Sequence, residues 1–144
     1  MGRRESREAA VNIIFQYGFM QEVPAAGSEA ADEILRIYQE SYEGDGSELD
    51  GPYICDVIQG VFSNRAVIDR KINENAKDWD LERMAKYDVA VLRVAVYEML
   101  FRTDIPASVS INEAVELAKR YSHEDAGGFV NGILGSIYGK CSVL

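Results

Sequence analysis

Apolar side chains recur at intervals of three or four positions along most of the 144-residue chain, with polar side chains between them. This spacing places the apolar residues on one face of an α-helix, and few β-branched runs alternate as strands do. The pattern therefore predicts an all-α fold. The predicted helices span about 3–21, 29–42, 51–76 with a bend near Ser63-Asn64, 81–86, 89–102, 111–121 and 124–138.

Recognisable capping signals precede several of the predicted helices, among them Ser28 before the second helix and Asp80 before the short helix at 81–86. Asp50 precedes Gly51-Pro52, which predicts an aspartate cap with proline in the first turn. Asp88 is expected to cap the helix that follows it. Ser110 lies three residues before Glu113, the spacing of a capping box, after Pro106 has ended the preceding element.

Composition is that of a soluble globular protein, with 47% hydrophobic and 27% charged residues. We expect one domain over residues 1–144, with N-terminal helices over about 3–76, C-terminal helices over about 80–138 and a flexible tail at 139–144. No apolar run approaches ~20 residues, so no membrane span is expected. The absence of an apolar leader and of a cysteine framework predicts a reducing, cytoplasmic location.

Charge is distributed unevenly along the chain. The net charge is −9, yet residues 21–50 hold nine acidic residues and one basic residue. The first eight residues contain three arginines and have a net charge of +1. Because charges are screened over ~8 Å, an acidic segment and a small basic end act separately if they lie apart. The negative total therefore does not exclude a nucleic-acid ligand.

The basic end consists of Arg3, Arg4 and Arg7, which continue the apolar face of the first predicted helix outward. Cations in a first turn oppose the helix dipole by roughly 0.3–1 kcal/mol each. Arginines in this position suggest a polyanion ligand, because guanidinium groups match phosphate geometry. A solvated, frayed helix end is the alternative interpretation, and the pattern alone leaves both open.

Catalytic motifs are absent from the sequence. It has no glycine-rich phosphate loop after a strand, no paired His/Cys metal set and no Ser–His–Asp set. Nothing in the sequence brings Cys55 and His123 together as a catalytic pair. The pattern predicts a binding module and not an enzyme, with no cofactor and no metal.

Five blocks of sequence carry a family resemblance: Arg7-Glu-Ala-Ala-Val-Asn-Ile-Ile-Phe15, Val91-Leu-Arg-Val-Ala-Val-Tyr-Glu-Met-Leu100, Asp104-Ile-Pro106, Ile111-Asn-Glu-Ala-Val-Glu-Leu-Ala-Lys119 and Phe129-Val-Asn-Gly-Ile-Leu134. They resemble the NusB family of bacterial transcription antitermination factors, and the resemblance spans roughly Arg3 to Tyr138. It implies about seven helices in two small bundles and a binding function without catalysis. Members pair with NusE, a small-subunit ribosomal protein, and bind the boxA segment of nascent ribosomal RNA. They thereby help the RNA polymerase antitermination complex to read through terminators.

The resemblance also implies roles for individual residues at the RNA surface. Arg3, Arg4 and Arg7 are the expected RNA contacts, and Asp125 and Phe129 match positions near the RNA. Phe129 either stacks on a base or belongs to the core. Asp125 is expected to cap or orient, since phosphate repels its charge.

Phe15 and Asp88 match positions that face NusE, although many members have tyrosine where Phe15 stands. The acidic segment 21–50 is longer than is usual in the family. It is expected to reduce unaided RNA affinity and to increase dependence on NusE. Homodimerisation, which some members use to bury the RNA surface, is an alternative consequence.

Two other functions fit the same fold. A protein-only scaffold would account for the acidic surface. An accessory module of an RNA cytosine methyltransferase would resemble the family as well, but no cofactor-binding domain follows before Leu144. Methyl transfer would then need a separate partner.

Overall fold

Helices account for nearly all of the residues that the structure describes. The computed structural model describes residues 3–17, 28–41, 49–76 and 84–142. Every regular element within these ranges is a helix, which confirms the all-α prediction. The helices are α1 (Arg3–Tyr17), α2 (Ser28–Ser41), α3 (Gly51–Ser63), α4 (Arg65–Asn75), α5 (Lys86–Phe101), α6 (Ala107–Tyr121) and α7 (Ala126–Ser142). Residues 18–21, 42 and 81–83 of the predicted helices lie outside the described residues. Met84 and Ala85, predicted as part of a short helix, are not helical.

The chain divides into two compact units, Met1–Asn64 and Arg65–Leu144. The sequence-based grouping placed α4 with the N-terminal helices, but α4 packs against α5 and α7. The Arg93 guanidinium donates two hydrogen bonds to the Asp69 carboxylate, at 2.9 and 3.0 Å. The prediction of one continuous helix over 51–76 is wrong, because α3 ends at Ser63 and a separate helix, α4, begins at Arg65.

The first unit is built around α3, which packs against both α1 and α2. Ile14 of α1 and Ile54 and Ile58 of α3 are fully buried, as the three-and-four spacing predicts. Asp50 caps α3 by accepting a hydrogen bond from the Tyr53 backbone N–H at 3.1 Å. The predicted aspartate cap is therefore confirmed.

The second unit is built around α5, in which every residue from Asp88 to Glu98 is buried. Burying a charged group is costly unless it is paired or hydrogen-bonded. Arg93 has its pair in Asp69 of α4, and Glu98 accepts a 2.7 Å hydrogen bond from the Ser110 hydroxyl of α6. These polar contacts attach α4 and α6 to α5 at defined positions.

The predicted capping box at Ser110 and Glu113 is wrong. Helix α6 begins at Ala107, four residues earlier than predicted, with Pro106 at the cap position and no side-chain cap bond. Ser110 is fully buried inside the helix. Its hydroxyl donates a hydrogen bond to the Glu98 carboxylate. The Ser110 side chain therefore has a partner on another helix, whereas the local pattern had assigned it to a backbone N–H of its own helix.

Two further helix bounds differ from the prediction. Helix α5 begins at Lys86 with Ala85 at the cap position, so Asp88 lies in the first turn and is not the cap. Helix α7 begins at Ala126 and continues to Ser142. Residues 139–142, predicted as part of a flexible tail, are therefore helical.

None of the helices in the described ranges has both the length and the hydropathy needed to cross a lipid bilayer.

The corrected role of Ser110 can be tested by substitution. Ser110→Ala removes a hydrogen-bond donor from a buried carboxylate and is expected to lower the free energy of unfolding by about 1–3 kcal/mol. Glu113→Ala is the matched control, because a capping box would make both substitutions comparably harmful. Urea denaturation measures both variants. An equal decrease in the free energy of unfolding for both variants would support the capping box and contradict the contact of Ser110 with Glu98.

Candidate nucleic-acid interface

The three N-terminal arginines lie in the first two turns of α1, but they differ in accessibility. Arg4 is exposed, Arg3 is half-buried and Arg7 is only 3% exposed. The sequence pattern had placed all three beyond the edge of the core. Of the three guanidinium groups, that of Arg4 is the one most accessible to a large polyanion.

A buried aromatic ring explains the positions of the other two arginines. Tyr53, in the first turn of α3, is 2% exposed. Its ring centroid lies 4.5 Å from Cζ of Arg3 and 5.9 Å from Cζ of Arg7. Both distances fall within the ~6 Å range of a cation–π contact. The ring therefore stabilises two cations that the dipole of α1 disfavours.

Asp50 joins the start of α1 to the start of α3. Its backbone N–H donates to the Ser6 hydroxyl at 2.7 Å, while its carboxylate caps α3. The second carboxylate oxygen lies 3.7 Å from a terminal nitrogen of Arg3. Both side chains are about 40% exposed, so this ion pair stabilises by at most ~1 kcal/mol. We call Ser6, Asp50 and Tyr53, with the two arginines they contact, the α1–α3 junction.

Arg3 keeps some capacity to bind an anion. Its Nε atom is buried and has no hydrogen-bond acceptor in the described part of the chain. The contacts with Asp50 and Tyr53 occupy other parts of the guanidinium group. Because this nitrogen is buried, the part of Arg3 that an anion can reach beside Arg4 is the exposed 40% of its side chain.

The two residues predicted to face NusE are placed very differently. Phe15 is 41% exposed, and its position on α1 lies about 18 Å from Arg3 along the helix axis. Asp88 is 1% exposed and lies 3.2 Å from Nε2 of His123. Phe15 is accessible to a partner in this arrangement, whereas the Asp88 carboxylate is not.

Asp125 and Phe129 lie together where α7 begins. Asp125 is exposed, and its backbone carbonyl accepts a hydrogen bond from the Phe129 N–H at 3.2 Å. Asp125 directly precedes the first residue of α7, which suits the orienting role expected from the sequence. Phe129 is half-buried, which leaves both base stacking and core packing open.

The site residues thus form a group within each unit: the three arginines at the start of α1, and Asp125 with Phe129 at the start of α7. Sequence reasoning missed Tyr53 and Ser6, which position the arginines. The Asp50 cap was visible in the sequence because it is local. The contacts of Tyr53 and Ser6 were not visible, because each joins residues more than 40 positions apart in the chain.

Cys55 does not have the properties of a catalytic nucleophile. Its thiol donates a hydrogen bond to the Asp32 carboxylate at 3.2 Å. Burial, followed by this hydrogen bond and the negative charge of Asp32, raises the pKa of the Cys55 thiol from 9.0 to about 11. A reactive cysteine needs the opposite shift. Within the described ranges, no three His, Cys, Asp or Glu side chains are grouped to hold a metal ion.

Comparison with known proteins assigns the family. The model of the NusB family matches residues 4–139. The chain belongs to the NusB family. A relative in Acetivibrio thermocellus, named transcription antitermination protein NusB, is 47% identical over 137 residues, covering 95% of this chain and 88% of that protein. A relative of the same name in Clostridium novyi is 39% identical, covering 95% of this chain and 98% of that protein.

Solved NusB structures share the fold. The structure of T. maritima NusB matches with a TM-score of 0.80 and 36% identity, covering 97% of this chain and 92% of that one. A crystal structure of the antitermination factors NusB and NusE in complex with dsRNA matches with a TM-score of 0.74 and 22% identity, covering 96% of each chain. The second likeness shows the fold alone.

The environment of Cys55 predicts that its thiol is alkylated more slowly in the folded protein than in the unfolded chain. Only the thiolate reacts, so the rate with iodoacetamide should rise with a midpoint near pH 11, against about 9 for the urea-unfolded chain. Asp32→Asn removes the negative charge and should lower the midpoint in the folded protein, while burial keeps it above 9. Peptide-resolved mass spectrometry separates Cys55 from Cys141. A midpoint near 9 in the folded protein would contradict the contact with Asp32.

Proposed function

We propose that this protein is a transcription antitermination factor that binds boxA RNA of nascent ribosomal RNA together with NusE. Membership of a family whose relatives are named transcription antitermination proteins supports the proposal most strongly. Binding is its proposed activity, without catalysis, and the RNA polymerase antitermination complex is its proposed setting. The same family assignment supports a cytoplasmic location.

The proposed RNA contact in the first unit is led by Arg4 and assisted by Arg3. Arg4 is exposed on the first turn of α1, and the side chain of Arg3 is about 40% exposed. A guanidinium group bonds phosphate oxygens with two parallel N–H donors, which suits an RNA backbone. The buried Arg7 has a different proposed role, which is to stabilise the junction beneath the contacting residues.

The proposed RNA contact in the second unit is the start of α7. The exposed edge of Phe129 offers an aromatic surface for a base, and stacking on such a surface contributes ~1–3 kcal/mol per base. The proposed role of Asp125 is to orient the first turn of α7. On α1, the exposed ring of Phe15 is the proposed contact with NusE.

The proposed dependence on NusE follows from charge. The chain has a net charge of −9, so its own field opposes an approaching polyanion except near local basic groups. We expect weak binding of boxA RNA by the protein alone and at least tenfold tighter binding once NusE is added. Fluorescence anisotropy of labelled boxA RNA measures both, with a scrambled RNA of equal length as control. No binding in either case would instead indicate a protein-only scaffold.

The arginine assignments predict different outcomes for two substitutions. Arg4→Ala should weaken RNA binding by about three- to tenfold and reduce the salt slope by about 0.7–0.9, because one phosphate contact is lost. Thermal stability should change little, since Arg4 is exposed. Arg7→Ala should lower thermal stability, because a nearly buried side chain packs on Tyr53.

Arg36→Ala is the matched control for the loss of one positive charge. Arg36 is exposed on α2 and already bonded to Glu33 and Glu40, both at 2.6 Å. The control should leave the salt slope unchanged. If Arg4→Ala and Arg36→Ala reduce affinity equally, the effect is one of overall charge, and Arg4 is not a specific contact.

A further inference from the structure

A side-chain contact between His123 and Asp88 connects the turn before α7 to α5. His123 lies in the turn between α6 and α7, and its Nε2 atom is 3.2 Å from Oδ2 of Asp88. Asp88 is in the first turn of α5, where the helix dipole stabilises its negative charge. It is also 1% exposed, and its other oxygen, Oδ1, has no hydrogen-bond partner among the described residues.

The imidazole of His123 is half-exposed, but the carboxylate it contacts is buried. Breaking this contact therefore costs more free energy than breaking one between two exposed groups. A buried acceptor that loses its donor carries the full penalty of desolvation. Because Oδ1 is already unbonded, removal of His123 would leave neither oxygen of Asp88 with a side-chain donor in the described part of the chain. This free-energy penalty therefore holds the His123 side chain against Asp88.

The backbone of His123 transmits that restraint to α7. Its carbonyl accepts a hydrogen bond from the Ala126 N–H at 3.0 Å, and Ala126 is fully buried. Two residues further on, the Asp125 carbonyl accepts from the Phe129 N–H at 3.2 Å. Fixing His123 on Asp88 thus fixes the first turn of the helix that carries Asp125 and Phe129.

The α6 side of this turn is fixed by close packing. A Cβ atom added to Gly127 would lie 2.8 Å from Cγ of Lys119 on α6, so the α7 backbone approaches the lysine stem very closely. Glycine is the residue that permits such an approach. The start of α7 is therefore restrained by α6 through Gly127 and by α5 through His123.

We propose that His123 is a positioning residue for RNA binding, which acts by hydrogen-bonding Asp88 and thereby fixing the first turn of α7 in front of the RNA. This inference rests on the proposed function and extends it to a residue that does not touch the ligand. It also gives Asp88 a role inside the protein in place of a surface contact. The donor at Nε2, and not a positive charge, is the property that the role requires.

Two substitutions at one position separate the hydrogen bond from the charge. His123→Ala removes both the donor and any charge. His123→Gln keeps an amide N–H donor at a similar reach but is always neutral. Thr103→Ala is the matched control, since Thr103 is an uncharged, exposed residue in the turn between α5 and α6.

Hydrogen exchange of the free protein and boxA RNA binding in the presence of NusE are the two measurements. His123→Ala should accelerate exchange of the Ala126 and Phe129 amides by about three- to tenfold and weaken RNA binding by a similar factor. His123→Gln should restore both values to within about twofold of the wild type. Thr103→Ala should change neither.

Two results would overturn the proposal. If His123→Ala leaves amide exchange at Ala126 and Phe129 unchanged, the contact with Asp88 does not fix the turn. If His123→Gln restores exchange but not RNA affinity, His123 acts on the RNA through its charge. A wild-type protein that fails to bind boxA RNA with NusE would refute the proposed function instead, and exchange would still test the anchor on Asp88.

Discussion

The α1–α3 junction is the constraint on which the placement of the N-terminal arginines depends. Asp50 performs three tasks there: its carboxylate caps α3, its N–H bonds Ser6, and its second oxygen lies near Arg3. The cap brings Tyr53 into the first turn of α3, where the ring meets two guanidinium groups. One turn of helix thus stabilises cations that the dipole of α1 opposes.

In the second unit, polar contacts from the buried helix α5 position the neighbouring segments. Helix α5 carries three charged side chains in its buried stretch, and each is bonded to a different neighbouring segment. Asp88 bonds the turn before α7, Arg93 bonds α4 and Glu98 bonds α6. Apolar packing alone would tolerate small shifts of these segments, whereas hydrogen bonds with narrow geometry do not. Polar contacts therefore set the positions of the helix ends that the proposed function uses.

Local signals in the sequence predicted the features that local interactions decide. The Asp50 cap was correct, because a cap depends on residues within one or two turns. The helix periodicity was correct for the same reason. Ser110 and Asp88 were assigned as caps and were wrong, because distant residues, Glu98 and His123, compete for their side chains.

In the candidate site too, local features were predicted correctly and features that depend on distant residues were not. A helical wheel placed Arg3, Arg4 and Arg7 at the correct end of α1, but it could not distinguish the exposed Arg4 from the nearly buried Arg7. That distinction depends on Tyr53, which lies 46 positions beyond Arg7 in the sequence. The family resemblance supplied the ligand and the partner, which no feature of periodicity or composition specified.

In the proposed RNA contact of the first unit, the junction holds the nearly buried Arg7 within the protein, and the exposed Arg4 meets phosphate. Nuclear magnetic resonance of the arginine Nε–Hε groups tests this directly when boxA RNA is added to the complex with NusE. The largest shift is expected at Arg4, a smaller shift at Arg3 and almost none at Arg7. A dominant shift at Arg7 with Arg4 unchanged would contradict this arrangement.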